Sequence, residues 1–178
     1  MSIGLWVRGA RPKTLVTSIA SVMVGAVMAY VHIERSGTCI AIYPEPASCA
    51  TAREQQTLLM DRFWPVTILC LLVALFLQIA VNYANDYSDG IRGTDAGRDM
   101  DESKSGKPQR LTASGLVPAK HVLFAAMICA AIACICGVVA VVLAQAWWLL
   151  AVGVASLLAG WFYTGGKHPY GYVGLGEV

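Results

Sequence analysis

An all-α integral membrane protein is the fold class that this sequence predicts, and three observations carry the prediction. The chain is 57% hydrophobic and only 13% charged, whereas soluble domains carry about 25% charged residues. Its charges are also bunched, with none between Lys13 and Glu34, none between Arg62 and Asp86, and none between Lys120 and Lys167. These uncharged runs lack the period-two alternation of strands, so they read as helices and a membrane β-barrel is excluded.

The spans follow in order from length. A hydrocarbon core of about 30 Å is crossed by about 20 apolar helical residues. The first two gaps hold one span each. The third is about twice as long and must hold two, with a turn where Gln145 precedes the pair Trp147 and Trp148, residues suited to a membrane interface. Helices are therefore expected near 14–33, 64–86, 121–143 and 147–164, in a single transmembrane domain covering 1–178. The first apolar run exceeds the ~7–15 residues of a signal-peptide core, and no A-x-A site ends it.

Lysine and arginine set the orientation. Arg8, Arg11 and Lys13 precede the first span, and the segment 87–120 holds Arg92, Arg98, Lys104, Lys107, Arg110 and Lys120; the segment 34–63 holds only Arg35, Arg53 and Arg62. The positive-inside rule places the N-terminus and the 87–120 loop in the cytosol and the 34–63 loop outside, in a multi-pass protein of the cytoplasmic (inner) membrane. Cys70, Cys129, Cys134 and Cys136 lie within spans and read as small apolar packers, while Cys39 and Cys49 share the outer loop, where an oxidising compartment permits a disulfide. A net charge of +2 without a basic, aromatic-interleaved cluster gives no case for nucleic acid. The partner that the composition does imply is the lipid bilayer.

The chemistry is concentrated in NYANDYSDG, residues 82–90, at the inner end of the second long span. Asn82, Asn85, Asp86 and Asp89 recur at i, i+3, i+4 and i+7, which stacks them on one side of a helix. A carboxylate at membrane depth costs at least ~2.5–3.5 kcal/mol and marks a functional position. Oxygen donors without His or Cys select a hard cation, magnesium or calcium. Magnesium keeps waters and takes phosphate oxygens as ligands, so an anionic phosphate is expected beside it. The following loop supplies the counter-charges Arg92, Arg98, Lys104, Lys107 and Arg110, interleaved with Asp95, Asp99 and Asp101. The bland alternative is a polar membrane boundary; four such groups on one side, followed by five basic residues, favour a site. Neither an EF-hand nor a P-loop spacing is present.

At these residues the chain resembles a known family. NYANDYSDG with Gly93 and Asp95 is similar to the first aspartate-rich motif of the UbiA superfamily of intramembrane prenyltransferases. RPKTL at 11–15, KPQRLTASGLV at 107–117 and YTGGKHPYGYVGLGEV at 163–178 resemble its dihydroxynaphthoate-prenylating branch. The resemblance implies that the chain is the first half of a bundle of about nine helices. It places the family's N-x-x-x-D core on Asn85 and Asp89, with Asp86 between them, and its third acidic position on Gly93, with Asp95 two residues on.

The implied metal set is Asn85, Asp86, Asp89 and Asp95 around Mg2+, with Asn85, Asp86 and Asp89 as the catalytic group. Asn82, Arg11, Lys13, Arg92, Lys107, Arg110, Tyr163 and Lys167 are the implied substrate contacts. Arg11 and Lys13 read equally as positive-inside anchors, and Tyr163, Tyr170 and Tyr172 as an interfacial belt. The implied reaction transfers a polyprenyl group from polyprenyl diphosphate to 1,4-dihydroxy-2-naphthoate, with loss of the carboxyl group, to give demethylmenaquinone. No second aspartate-rich motif follows, since Glu177 is the only acidic residue after Glu102; the chain is therefore expected to be incomplete at its C-terminus and inactive alone. Another aromatic prenyltransferase of the superfamily, or a non-catalytic membrane protein that binds magnesium and phosphorylated lipid, remain as alternatives.

Overall fold

The computed structural model describes residues 3–36, 46–92 and 111–164, and no strand occurs among them. Among the described residues five helices follow one another: α1 Ile3–Gly9, α2 Pro12–Ser36, α3 Pro46–Arg92, α4 Ala119–Ala144 and α5 Trp148–Thr164. Helices α2, α3 and α4 are long and apolar enough to cross a membrane, and Trp148–Tyr163 forms a shorter apolar helix. The chain is thus an all-α, multi-pass membrane protein.

Helix α3 has 47 residues and is about 70 Å long at ~1.5 Å per residue, more than twice the ~30 Å hydrocarbon core. It is helical from Pro46, inside the segment 34–63 expected to be loop, and it continues to Arg92, into the expected 87–120 loop. The charge pattern marked where the apolar stretch ends. A helix need not end there, because its own backbone bonds satisfy its peptide groups in either solvent. Pro65 lies within α3; with no N–H to give, it leaves one carbonyl a turn earlier without its helical partner.

The short α1 was not anticipated. Pro12 disfavours right-handed helical backbone at the residue before it. Arg11 instead takes φ 53°, and the chain turns a corner before Pro12 opens α2. The hydroxyls of Thr14, Thr17, Ser18 and Ser21 each donate to the carbonyl three residues earlier, which satisfies them in an apolar setting. At the other end of the bundle α4 closes on Gln145 (φ 56°, ψ 27°). The Gln145 side-chain amide donates to the carbonyl of Val142 at 3.0 Å, and the amide of Ala146 to that of Val141 at 3.2 Å. Three residues later the chain is already in α5.

Helix α3 packs chiefly against α4 and secondarily against α2, while α5 meets α3 and α4 only lightly. Along α4 the buried positions Ala126, Ala133 and Ala140 recur every seventh residue, and small side chains of this kind let two membrane helices approach closely. Near the far end Phe63 stacks edge-on against Tyr30 of α2 at 5.5 Å, and Arg62 reaches the carbonyl of Leu143 at the end of α4 at 3.2 Å.

At the opposite end, where α3 meets α1 and the turn before α4, Ala10, Tyr83, Leu111, Val117, Val122 and Ala126 form one buried cluster. Leu111 sits in the turn before α4 and is completely buried. Leu111→Ala is expected to lower the unfolding free energy by about 2–5 kcal/mol, whereas Val138→Ala, on the exposed face of α4, should cost far less. Thermal midpoints of the two variants in detergent micelles check this.

Candidate functional site

The polar residues of α3 lie on two adjacent rows. Asn82 and Asp86 are buried, 4% and 2% exposed, whereas Asn85 and Asp89 are only half-buried. Residues four apart stack one above the other, and a step of three is displaced by about 60° around a 3.6-residue helix. The single side expected from the sequence therefore has an inner row facing the neighbouring helices and an outer row at the rim.

Asn82 ties helices together. Its Nδ2 donates to the carbonyl of Ala10 at 2.8 Å and to Thr14 Oγ1 at 3.0 Å, and its Oδ1 accepts from Gln78 Nε2 at 3.4 Å. One turn away, the Tyr83 hydroxyl donates to the carbonyl of Trp6 at 2.9 Å, and the two rings meet edge to face at 5.6 Å. Between them these residues hold α1 and the corner at Arg11 against α3.

Asp86 faces the turn at 111–117. Its Oδ2 accepts the amide of Leu111 at 2.8 Å and its Oδ1 the amide of Thr112 at 3.0 Å. Gly90, one turn further, lets that turn come close: a Cβ there would lie 2.4 Å from Thr112 Cγ2. Ser88 is buried and accepts from Arg92 Nε at 3.3 Å.

The remaining expected site residues are placed as follows. Arg11 is half-buried at the α1–α2 corner, and Lys13 is exposed on the first turn of α2. Tyr163 is exposed near the end of α5. Asp95, Lys107, Arg110 and Lys167 lie outside the described residues, as does Cys39. Cys49 is disulfide-bonded, and Cys70, Cys129, Cys134 and Cys136 are free thiols. The structure thus keeps Asn82, Asn85, Asp86 and Asp89 on the last turns of α3 and bonds Asn82 to Ala10 and Thr14, on either side of Arg11. Two partners escaped the sequence reading, the backbone amides of Leu111 and Thr112, because an amide leaves no signature in residue identity. Gly90, directly after the acidic motif, was the one sequence signal of a close approach.

Among the described residues no three His, Cys, Asp or Glu side chains group to hold a metal. The donors at the rim are the oxygens of Asn85 and Asp89. That small, oxygen-only set fits magnesium, which binds through one or two carboxylates and completes its shell with water and phosphate.

An apolar cavity of about 340 Å³ opens between α3, α4 and α5, lined by Val73, Leu77, Ala133, Gly137, Leu149 and Leu157 among others.

Apolar helices that end in an amide- and carboxylate-bearing rim define an intramembrane protein with a polar site at one end of its bundle. Residues 57–178 match the UbiA prenyltransferase family, and the chain belongs to that family. It is 40% identical over 177 residues to the 1,4-dihydroxy-2-naphthoate octaprenyltransferase of Mycobacterium tuberculosis, covering 99% of this chain and 49% of that protein. The proteins of the same description from Mycobacterium leprae and Escherichia coli are 37% and 29% identical, over 99% and 97% of this chain and 48% and 47% of their own lengths. The chain spans about half the length of the curated relatives it matches. No solved structure matches it.

Asn82→Leu keeps the bulk of the side chain and removes both bonds to the α1–α2 corner. It is expected to cost about 1–3 kcal/mol of stability, since the carbonyl of Ala10 loses its side-chain donor. Chemical denaturation followed by Trp6 fluorescence checks it.

Proposed function

We propose that this chain forms the diphosphate-binding half of an enzyme that moves a polyprenyl group from polyprenyl diphosphate to 1,4-dihydroxy-2-naphthoate. The observation that carries the reading is the pairing of half-exposed Asn85 and Asp89 at the end of an apolar helix with the shared description of its relatives. A polyprenyl diphosphate has the matching polarity, with a charged head and a long apolar tail.

Asn85 and Asp89 would hold Mg2+, with Asp95 as a further candidate donor. When bound, the ion neutralises diphosphate oxygens and makes the diphosphate a better leaving group. Arg11, Lys13, Arg92, Lys107 and Arg110 supply positive charge toward the departing diphosphate, by charge-assisted hydrogen bonds that tighten as its charge grows. The apolar cavity beside α3, at about 340 Å³, suits part of an isoprenoid tail and excludes water from it. Tyr163, near the end of α5, offers an aromatic face to positive charge developing on the allylic carbon, and Lys167 a contact for an acidic substrate.

In the overall transfer the bond between the allylic carbon and the diphosphate oxygen breaks and a carbon–carbon bond to the ring forms. The ring carboxyl leaves as carbon dioxide, giving the quinol form of demethylmenaquinone, a step of menaquinone biosynthesis. The proposed orientation puts the rim of α3 in the cytosol and Cys49 outside the cytoplasmic membrane, a side on which its disulfide persists.

The test is a chimera in which residues 1–178 replace the matching half of the M. tuberculosis relative, assayed in membranes with labelled octaprenyl diphosphate and dihydroxynaphthoate. Activity should require Mg2+ and be lost on chelation. Asp89→Ala should lower it at least about 100-fold, the scale of losing a preorganised electrostatic contact at the transition state. Full activity in Asp89→Ala would refute the metal-binding role.

A further inference from the structure

Taking Asn85 and Asp89 as the metal-facing donors, as the proposed function does, we infer that Asp86 is a positioning residue and not a metal ligand. Its carboxylate is a latch that fixes the 111–117 turn to the inner end of α3.

The first ground is occupancy. Both carboxylate oxygens are engaged, Oδ2 by the amide of Leu111 at 2.8 Å and Oδ1 by the amide of Thr112 at 3.0 Å. Two consecutive amides presented to the two oxygens of one carboxylate make a forked contact, which fixes direction as well as distance. Asp86 is 2% exposed, so an ion would have to enter a closed site. Asn85 and Asp89, on the neighbouring row, are partly exposed.

The second ground is the fit of the turn itself. Leu111 is completely buried, and it lies so close to α1 that a Cβ on Gly9 would stand 2.5 Å from its Cδ1. Thr112 lies over Gly90, with no room for a Cβ between them. The turn is closed on itself by the amide of Gly115 to the carbonyl of Thr112 at 3.1 Å and that of Val117 to the carbonyl of Leu111 at 3.3 Å. Val117, 1% exposed, then leads into α4. Packing against α1, close approach at Gly90 and the carboxylate on α3 all bear on two adjacent residues.

The consequence for function follows from connectivity. Arg110 precedes Leu111 by one peptide bond, and Lys107 is three residues before it. The latch therefore governs how the diphosphate is met, and leaves the binding of the cation alone unchanged.

The experiment uses the 178-residue chain in lipid nanodiscs, with Mn2+ as the cation probe read by electron paramagnetic resonance and farnesyl diphosphate as the anion probe. Amide exchange of the 111–113 backbone is followed by mass spectrometry. In Asp86→Asn one oxygen becomes an NH2 group facing an N–H donor, so the amides of Leu111 and Thr112 should exchange at least tenfold faster. Affinity for Mn2+ should stay within threefold, and affinity for farnesyl diphosphate with Mn2+ should fall at least tenfold.

Gly90→Ala should reproduce this pattern, because it displaces Thr112 while leaving every carboxylate in place. Asp89→Asn should do the reverse, weakening Mn2+ at least tenfold with the amides still protected. A tenfold loss of Mn2+ affinity in Asp86→Asn but not in Gly90→Ala would make Asp86 a ligand and overturn the inference. Unchanged amide exchange in Asp86→Asn would overturn it equally. Failure of the unaltered chain to bind Mn2+ would refute the metal reading of Asn85 and Asp89, while the exchange data would still decide the latch.

Discussion

In an apolar bundle, a polar group that is not partnered by the protein has no other partner, and the end of this molecule where α3 meets the turn before α4 is organised by that constraint. The carboxylate of Asp86 lies beyond the reach of solvent, as does Leu111, whose amide it binds, and the amide of Thr112 beside it is partly buried. A buried carboxylate left alone costs several kcal/mol, and hydrogen bonds to charged groups return about 1.5–3 kcal/mol each. Neither the end of α3 nor the turn before α4 is satisfied without the other. Once they are joined, Leu111, Val117 and Val122 fall against Tyr83 and Ala10 as one apolar cluster.

The same constraint explains why polar residues of similar type have separate fates along one helix. Asn82 and Asp86 are a full turn apart and point at neighbouring backbone, so each is consumed in holding the fold. Asn85 and Asp89 are also a turn apart, but their row is rotated toward the rim and is only partly buried. A residue pattern that looks like one cluster thus divides into a buried pair that builds the end of the bundle and a partly exposed pair at its rim.

Away from this end the bundle is held differently. Lipid is as apolar as the side chains, so close packing of small residues replaces hydrophobic burial as the cause of helix association. The alanines at 126, 133 and 140 on α4 serve that contact. Helix α5 has little of it and remains lightly attached, which leaves the apolar cavity between it and α3 open along one side.

What the sequence determined by itself was whatever depends on composition along the chain. Runs without charge, long enough for a bilayer, specify apolar helices whatever they pack against, and a spacing of three and four residues puts Asn82, Asn85, Asp86 and Asp89 on the same side of one of them. Recurrent motifs likewise identified the family. The reach of α3 from Pro46 to Arg92 was not determined in this way, because charge marks the edge of the membrane and a helix can continue through it. Nor was the division of the polar side into buried and partly exposed rows, nor the pairing of Asp86 with two amides 25 and 26 residues away. Those were decided only by the tertiary structure, since which donor meets a carboxylate depends on how the chain returns through space, and a backbone N–H is the same at every residue but proline.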